Sequence, residues 1–489
     1  MLDKDLQSIQ EARTLIQQAK QAQKKLAEMS QLEIDRIVKA MADAAYSNRE
    51  RLAKLAAEET GFGLWKDKIV KNSFASVGVY ESIKDMKTVG VLNENKTENI
   101  VEVAVPVGVI SALVPSTNPT STVIYKALIA LKAGNAIVFS PHPGALNCIL
   151  EATKVIREAA EQAGCPQGAI AAMTVPSLQG TETLMKHKDV SLILATGGSP
   201  MVKAAYSSGT PAIGVGPGNG PAFIDQSASI PKAVKRIIES KTFDNGTICA
   251  SEQSVVVEEC KKDEVIKEFE KQGAYFLSSE ESAKLEKFIM RANGSMNPAI
   301  VGKSVQHIAD LAGLTVPTQT KVLIAHETQV GMKVPYSREK LAPILAFYVE
   351  KDWMKAMDRC IEILMNEGAG HTMTVHSERE EVIRHFQLNV PVSRLLVNTP
   401  GTLGGIGATT NLAPALTLGC GAIGKGSTSD NVSPLNLMNI RRVAYGFKEL
   451  EDIRPTETPK AEVQEPQKEL NNDLIEQIVQ EVLSKLTTK

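Results

Sequence analysis

The chain has 489 residues, 43% hydrophobic and 22% charged, which at roughly 150 residues per domain suggests two or three domains with large cores. Its 54 Lys+Arg against 56 Asp+Glu leave a formal charge of −2, and aromatics make up 4%; this balance argues against nucleic acid or an anionic membrane as partner and against a base-stacking face. No run of roughly 18 or more apolar residues marks a membrane span, and the opening MLDKDLQSIQEAR lacks a signal-peptide stretch, so a soluble, intracellular protein is expected.

The first 60 residues read as helix. Leu6, Ile9, Leu15 and Ile16 mark an apolar face, and Ser30 with Glu33 has capping-box spacing before Ile34, Ile37, Val38 and Met41, a second amphipathic pattern. From about residue 100 short β-branched runs appear at Gly108–Val114, Ala136–Ser140, Val190–Ala195 and Pro221–Ile224, separated by helical patterns at Pro143–Ala163 and Ser199–Tyr206. That alternation predicts an α/β fold with a parallel sheet covered on both faces, ligands binding where strands end and helices begin. The loops there read VPSTNPTS, SPHPGA and ATGGSPM. A second α/β region follows from about Pro231 through SEQSVVVEE, a helical stretch near Lys261–Gln272, and TKVLIAHE. Eight glycines in Gly401–Gly426 predict turns and close backbone approach in place of a helix. Residues 451–469, with three prolines and little to bury, read as a disordered linker. In NNDLIEQIVQEVLSKLTTK, Leu474, Ile475, Ile478, Val479, Val482, Leu483 and Leu486 recur at helical spacing, an apolar face that needs a partner.

Six cysteines (148, 165, 249, 260, 360 and 420) are too sparse for a disulfide framework, and none forms a C-x-x-C pair, so no metal site is expected. Most should be buried free thiols. Cys249 differs: FDNGTICASEQ sets it between a turn-forming Asn-Gly pair and small residues opening toward a strand. There a thiol can be accessible and close to backbone N–H groups that stabilise a thiolate or an oxyanion.

Cys249 in this segment, Asn118 in VPSTNP, the TGGSPMV turn, GVGPGN at 214–219 and EKLAP at 339–343 occur together in the order of the aldehyde dehydrogenase superfamily. FDNGTICASEQ, GVGPGN, GAGHT (368–372) and LTLGCGAIGKGSTSDNVSP (416–434) more narrowly resemble its CoA-acylating branch. That branch includes the acetaldehyde and propionaldehyde dehydrogenases of bacterial microcompartments and the dehydrogenase half of bifunctional aldehyde/alcohol dehydrogenases. The resemblance covers roughly residues 5–450. It implies a Rossmann-type cofactor domain over 1–232 with a β extension near 95–105, and a catalytic α/β domain over 233–428. An arm at 429–450 would return to the cofactor domain and pair with a neighbouring subunit, in a homodimer or homotetramer. After the linker at 451–469, the helix of 470–489 resembles the encapsulation peptides that carry enzymes into microcompartments, which would place the enzyme in the cytoplasm inside such a compartment with shell or cargo proteins as partners. A helix docked on a neighbouring subunit is the plainer alternative.

The resemblance also assigns roles. Cys249 would attack the aldehyde, the Asn118 amide and the Cys249 N–H would hold the oxyanion, and hydride transfer would leave an acyl-thioester on Cys249. Glu339 would hold the nicotinamide ribose, against the plainer reading of an exposed, ion-paired glutamate. Hydrolytic relatives carry a general-base glutamate in an ELGGK motif; the matching AIGVGPGNGP has no carboxylate. That absence argues for acyl transfer to a thiol, coenzyme A, over hydrolysis. His371 is a candidate for deprotonating that thiol, beside the alternative of a buried structural histidine. Ser140, Pro141 and His142, then Thr196, Gly197, Gly198 and Ser199, and Gly216 in GVGPGN, are the cofactor-binding candidates. Ser140 stands where many relatives carry a ribose-binding lysine, so NAD is expected on family grounds with NADP left open. Acetaldehyde or propionaldehyde are the leading substrates and sulfoacetaldehyde the charged alternative. A hydrolytic enzyme and a non-catalytic scaffold are the competing readings, the second opposed by an intact Cys249–Asn118 pair.

Overall fold

The computed structural model describes residues 3–454 and 471–487; most of the expected linker, from 455 to 469, lies outside them. Helix Gln31–Ser47 opens on the capping box read from the sequence: Ser30 Oγ accepts from Glu33 N, and Glu33 Oε2 accepts from Ser30 N (2.8 Å). Its Ile34, Ile37, Val38 and Met41 are wholly buried. Helix Lys4–Leu26 differs from the expected face. Leu6 is 55% exposed, Ile9 and Leu15 are partly covered, and the buried stripe runs through Ser8, Ala12, Ile16, Ala19, Ala22 and Leu26. The reason is closeness of packing. The helix lies so near Leu178–Lys186 that a Cβ on Gly180 would stand 1.9 Å from Ser8 Oγ, and at that crossing only small residues fit.

Strands β1 (Gly90–Asn95) and β2 (Ile100–Pro106) form an antiparallel hairpin. Then follow β3 (Val109–Val114), β4 (Ala136–Pro141), β5 (Ile170–Ala172), β6 (Val190–Ala195) and β7 (Ala212–Gly214). These pair in the order β5-β4-β3-β6-β7, all parallel. β3 and β4 are buried along their whole length, as near-continuous apolar strands between two helical layers must be. Two successive strands, β4 and β5, build outward on one side of β3, and β6 and β7 on the other. The crevice at this switch point opens beyond the C-terminal ends of β3 and β6. The loops leaving those ends are VPSTNP and TGGSP.

The second sheet comprises β8 (Pro221–Ile224), β9 (Ser254–Glu258), β10 (Ala274–Phe276), β11 (Val322–His326), β12 (Ile344–Glu350), β13 (Gly370–His376) and β14 (Val392–Val397). They pair, again in parallel, as β10-β11-β12-β9-β8-β13-β14. β15 (Met438–Ala444) then returns to pair antiparallel with β2, completing the three-stranded extension. Because β8 belongs to the second sheet, the chain passes between the sheets within 215–220, ahead of the boundary at 232. Ile406, Ala415 and Leu418 pack into the same core as the first sheet, as Ile248 and Ala250 of the cysteine segment also do.

The glycine-rich segment holds one turn of helix that glycine density argued against, Gly401–Gly405. Its first N–H groups are capped from outside: Gly401 N donates to Glu252 Oε1 (2.8 Å) and Thr402 N to Ser240 Oγ (2.8 Å). Those tertiary bonds supply what propensity does not. Helix Asn472–Leu486 buries none of its residues, and no helix among the described residues is long and apolar enough to cross a membrane. The packing of the first helix is testable by thermal unfolding. Ile16→Ala should cost about 2–5 kcal/mol, whereas Leu6→Ala should stay within about 0.5 kcal/mol of the parent; equal losses would contradict the buried stripe.

Candidate active site

Asp244, Asn245 and Gly246 have φ of 50°, 53° and 75°. Three consecutive left-handed residues are tolerated best by this Asp-Asn-Gly order. The turn drops Cys249 into a cavity of about 380 Å³ at the switch-point crevice, where Asn118, Thr247, Ile248, Glu339 and Leu418 also face it. Gly218 comes so near that a Cβ on it would stand 1.8 Å from the Cys249 carbonyl oxygen. Its N–H donates to Glu339 Oε1 (2.8 Å). Glycine is therefore required in GVGPGN by backbone contact with the cysteine loop.

His371 is fully buried on β13, with Nε2 3.2 Å from Cys249 Sγ and Nδ1 3.0 Å from Thr372 Oγ1. Arg394 on β14 donates from Nε to the same Thr372 oxygen (3.2 Å) and from Nη2 to the His371 carbonyl (2.9 Å). Burial, then the Arg394 charge, holds the imidazole down at about 3. Burial, then the Glu339 charge, pushes the Cys249 thiol up to about 12. The resting pair is thus a thiol beside a neutral imidazole, not a thiolate–imidazolium pair. With Nδ1 protonated toward Thr372 Oγ1, Nε2 is free to accept the thiol proton.

Asn118 ends the loop after β3 and precedes helix Pro119–Lys132. Its Oδ1 accepts from Lys71 Nζ (2.5 Å), and its Nδ2 donates to the Thr247 carbonyl and Thr117 Oγ1, each at 3.2 Å. Lys71 and Lys68, on helix Trp65–Ser73, both pair with the buried Asp244 carboxylate. Burial opposes the ionised Asp244, but the two ammonium groups outweigh it and hold its carboxyl below the ordinary range.

Of the residues singled out from sequence, Asn118, Ser140, Pro141, His142, Thr196, Gly197, Gly198, Gly216, Cys249 and Glu339 line this one cavity. His371 stands behind the thiol. Ser199 begins helix Ser199–Tyr206 and lies outside the wall. Glu339 is not ion-paired at the surface: burial, then Glu367, raises its carboxyl to about 8. Thr196 Oγ1 is buried in the wall without a partner, and Ser140 Oγ is bonded to Thr181 Oγ1 (2.8 Å). Sequence reasoning missed Lys68, Lys71, Asp244 and Arg394. Only Asp244 had a signal, its place in the cysteine segment; the lysines come from about 170 residues away with no local pattern.

Residues 5–289 match the sequence model of the Aldehyde dehydrogenase family, and the chain belongs to that family. Within it the chain sits in the acylating branch. It is 45% identical over 442 residues to the bifunctional aldehyde-alcohol dehydrogenase of Escherichia coli, which covers 89% of this chain and 50% of that protein. It is 40% identical over 435 residues to the acetylating succinate-semialdehyde dehydrogenase of Clostridium kluyveri, covering 89% and 96%. The chain spans about half the length of the bifunctional relatives it matches. Among solved structures, a probable aldehyde dehydrogenase from Listeria monocytogenes is 70% identical with a TM-score of 0.92, covering 93% of this chain and 100% of that one. An acetylating aldehyde dehydrogenase from Geobacillus thermoglucosidasius is 54% identical, TM-score 0.91, with coverage of 93% and 100%. Two propionaldehyde dehydrogenases are more distant. One, from the fucose utilisation microcompartment of Clostridium phytofermentans, is 28% identical (TM-score 0.80, coverage 89% and 97%). The other, from Rhodopseudomonas palustris, was solved with bound CoA and an acylated cysteine and is 27% identical (TM-score 0.81, coverage 89% and 97%).

Two outcomes test this geometry. Gly218→Ala should abolish turnover, because its new Cβ displaces the Cys249 backbone; near-normal turnover would contradict the contact. Alkylation of Cys249 by iodoacetamide, followed by peptide mass spectrometry, should accelerate steadily from pH 6 to 9 without a plateau. A plateau near pH 7 would mean a thiolate at rest.

Proposed function

We propose that the protein is a CoA-acylating aldehyde dehydrogenase acting on a short, uncharged aldehyde. The observation that carries this reading is the wall around Cys249. A thiol, an amide donor and a neutral imidazole converge there, and the 212–221 stretch contributes Val215, Gly216 and Pro217 with no carboxylate to activate water. Cys249 Sγ attacks the carbonyl carbon as its proton passes to His371 Nε2, giving a thiohemiacetal whose oxyanion is held by Asn118 Nδ2 and the Cys249 N–H. Thr196, with its unpartnered hydroxyl, the Gly197–Gly198 turn and Glu339 fit a nicotinamide dinucleotide along the crevice, which when bound takes the hydride. The acyl group then passes from Cys249 Sγ to the coenzyme A sulfur: the new thioester bond forms as the Cys249 Sγ–acyl bond breaks, and the proton of the coenzyme A thiol restores the Cys249 thiol. The sum is aldehyde, NAD⁺ and CoA giving acyl-CoA, NADH and a proton.

No lysine or arginine lines the cavity among the described residues. That supports NAD over NADP, since no cation awaits a 2′-phosphate, and favours acetaldehyde or propionaldehyde over sulfoacetaldehyde. Two surfaces support further parts of the reading. The β1-β2-β15 extension exposes Ile440, Val443, Tyr445 and Phe447 near an open edge, which suits pairing with a second subunit in a homodimer or homotetramer. Helix Asn472–Leu486 leaves Leu474, Ile478, Val482 and Leu486 of its apolar stripe exposed, which suits capture by a microcompartment shell or cargo protein.

The test is NADH formation from acetaldehyde and NAD, with and without CoA, with Cys249→Ala as blank. Sustained turnover only with CoA is expected; equal turnover without it would mean water deacylates the enzyme. Faster turnover with sulfoacetaldehyde would overturn the uncharged substrate. Deleting residues 470–489 should leave these kinetics unchanged while abolishing co-purification with a compartment, and a loss of activity would tie the tail to catalysis.

A further inference from the structure

Building on the reading of Cys249 as nucleophile and Asn118 as oxyanion donor, we propose that Lys71 is the positioning residue of the oxyanion hole: its ammonium turns the Asn118 carboxamide so that Nδ2, and never Oδ1, faces the reacting carbonyl.

The argument starts from what each group can do. A carboxamide presents an acceptor on one side and donors on the other, and the two ends have nearly the same shape. Reversed, Asn118 would aim a lone pair at a developing oxyanion and oppose the reaction. An ammonium carries three protons and no acceptor, so an amide set against it can present only its oxygen. Lys71 spends its three protons on three acceptors: Asn118 Oδ1 (2.5 Å), Thr247 Oγ1 (2.9 Å) and the Asp244 carboxylate. It is 2% exposed, so water offers no alternative partner. On the other end of the amide, the two Nδ2 bonds are long at 3.2 Å, and an oxyanion can replace either. A charge-assisted bond on the carbonyl oxygen also polarises the amide and strengthens its N–H donors.

The groups facing Lys71 explain how the charge is kept. On its own helix are Lys68 and Asp67; from the 243–247 turn come Asp244, Thr247 and the Phe243 ring, 5.8 Å away; from the 115–118 loop comes Asn118. Burial brings the ammonium down to about 8, with Asp244 opposing and Lys68 adding to the fall. Lys71 is therefore mainly charged at neutral pH and loses its charge as pH rises through about 8.

The experiment is a double-mutant cycle read by the pre-steady-state burst of NADH with aldehyde and NAD. It uses the full chain as wild type, Lys71→Met, Asn118→Ala and the double variant, each checked for fold by circular dichroism. Lys71→Met should slow the burst about 10–100-fold, somewhat less than removal of an oxyanion donor itself, with the KM for NAD within about twofold. In the Asn118→Ala background the same change should alter the burst by less than about threefold, because a residue acting through Asn118 has nothing left to orient. The wild-type to Lys71→Met ratio should be largest below about pH 8 and shrink above it. If Lys71→Met does not fold, Lys71→Gln, which keeps a donor without the charge, replaces it in the cycle. Losses that multiply, or a Lys71 variant with a wild-type burst, would overturn the proposal. A wild-type burst in Asn118→Ala would instead sink the underlying oxyanion assignment, so the two failures are distinguishable.

Discussion

The carboxylate of Asp244 is the constraint on which the active site depends. It is fully buried, and an ion in that position is costly unless its lone pairs are filled. Here they take two ammonium groups, the Thr247 hydroxyl and the Leu64 N–H (2.6 Å). Leu64, Lys68 and Lys71 come from helix Trp65–Ser73 and its N-cap, and Thr247 from Asp244's own turn. Lys68 also donates to the Thr117 carbonyl (3.2 Å), and Lys71 to Asn118. One charge thereby ties an N-terminal helix, the loop after β3 and the turn before Cys249 into a single unit. Losing either ammonium leaves a one-to-one ion pair with the remaining one but opens a hydrogen-bond position on a buried carboxylate, so the partners are coupled through Asp244.

The chemistry follows from burial more than from local charge. Dehydration raises the thiol of Cys249 and lowers the imidazole of His371, so the resting site holds no ion pair across the 3.2 Å contact. A neutral thiol resists oxidation and adventitious alkylation. In the proposed mechanism proton transfer accompanies attack on a bound carbonyl, where a preorganised amide takes the negative charge. Glu339, held by the Gly218 N–H and raised by burial, adds little negative charge against that step at neutral pH.

The two parallel sheets divide the labour. The first provides the switch-point crevice and the loop with Asn118; the second delivers His371 and Arg394 from adjacent strands and supports Cys249 just ahead of β9. The segments joining them are glycine-rich because backbones touch there, as Gly218 does at Cys249. Glu252, three residues past Cys249, caps the turn Gly401–Gly405. That cap explains why a helical turn survives where composition predicted none.

Much of this was legible in the chain itself. Short apolar runs placed β3, β4, β6 and β8 to within a residue or two, because strands buried on both faces have few other sequences open to them, while β5, β7, β12, β13 and β14 were not read from the sequence. The cysteine segment was legible from its own residues, and the asparagine loop, the Thr-Gly-Gly turn and Glu339 were legible as motifs through their resemblance to the aldehyde dehydrogenase superfamily. The tertiary structure decided three things that local spacing does not encode: the buried face of the first helix, the passage between sheets within 215–220, and the Lys68–Asp244–Lys71 cluster. It also settled that His371 touches the thiol. Each depends on residues brought together from more than a hundred positions apart, and the free energy of such contacts arises from burial and pairing, which exist only once the chain has folded.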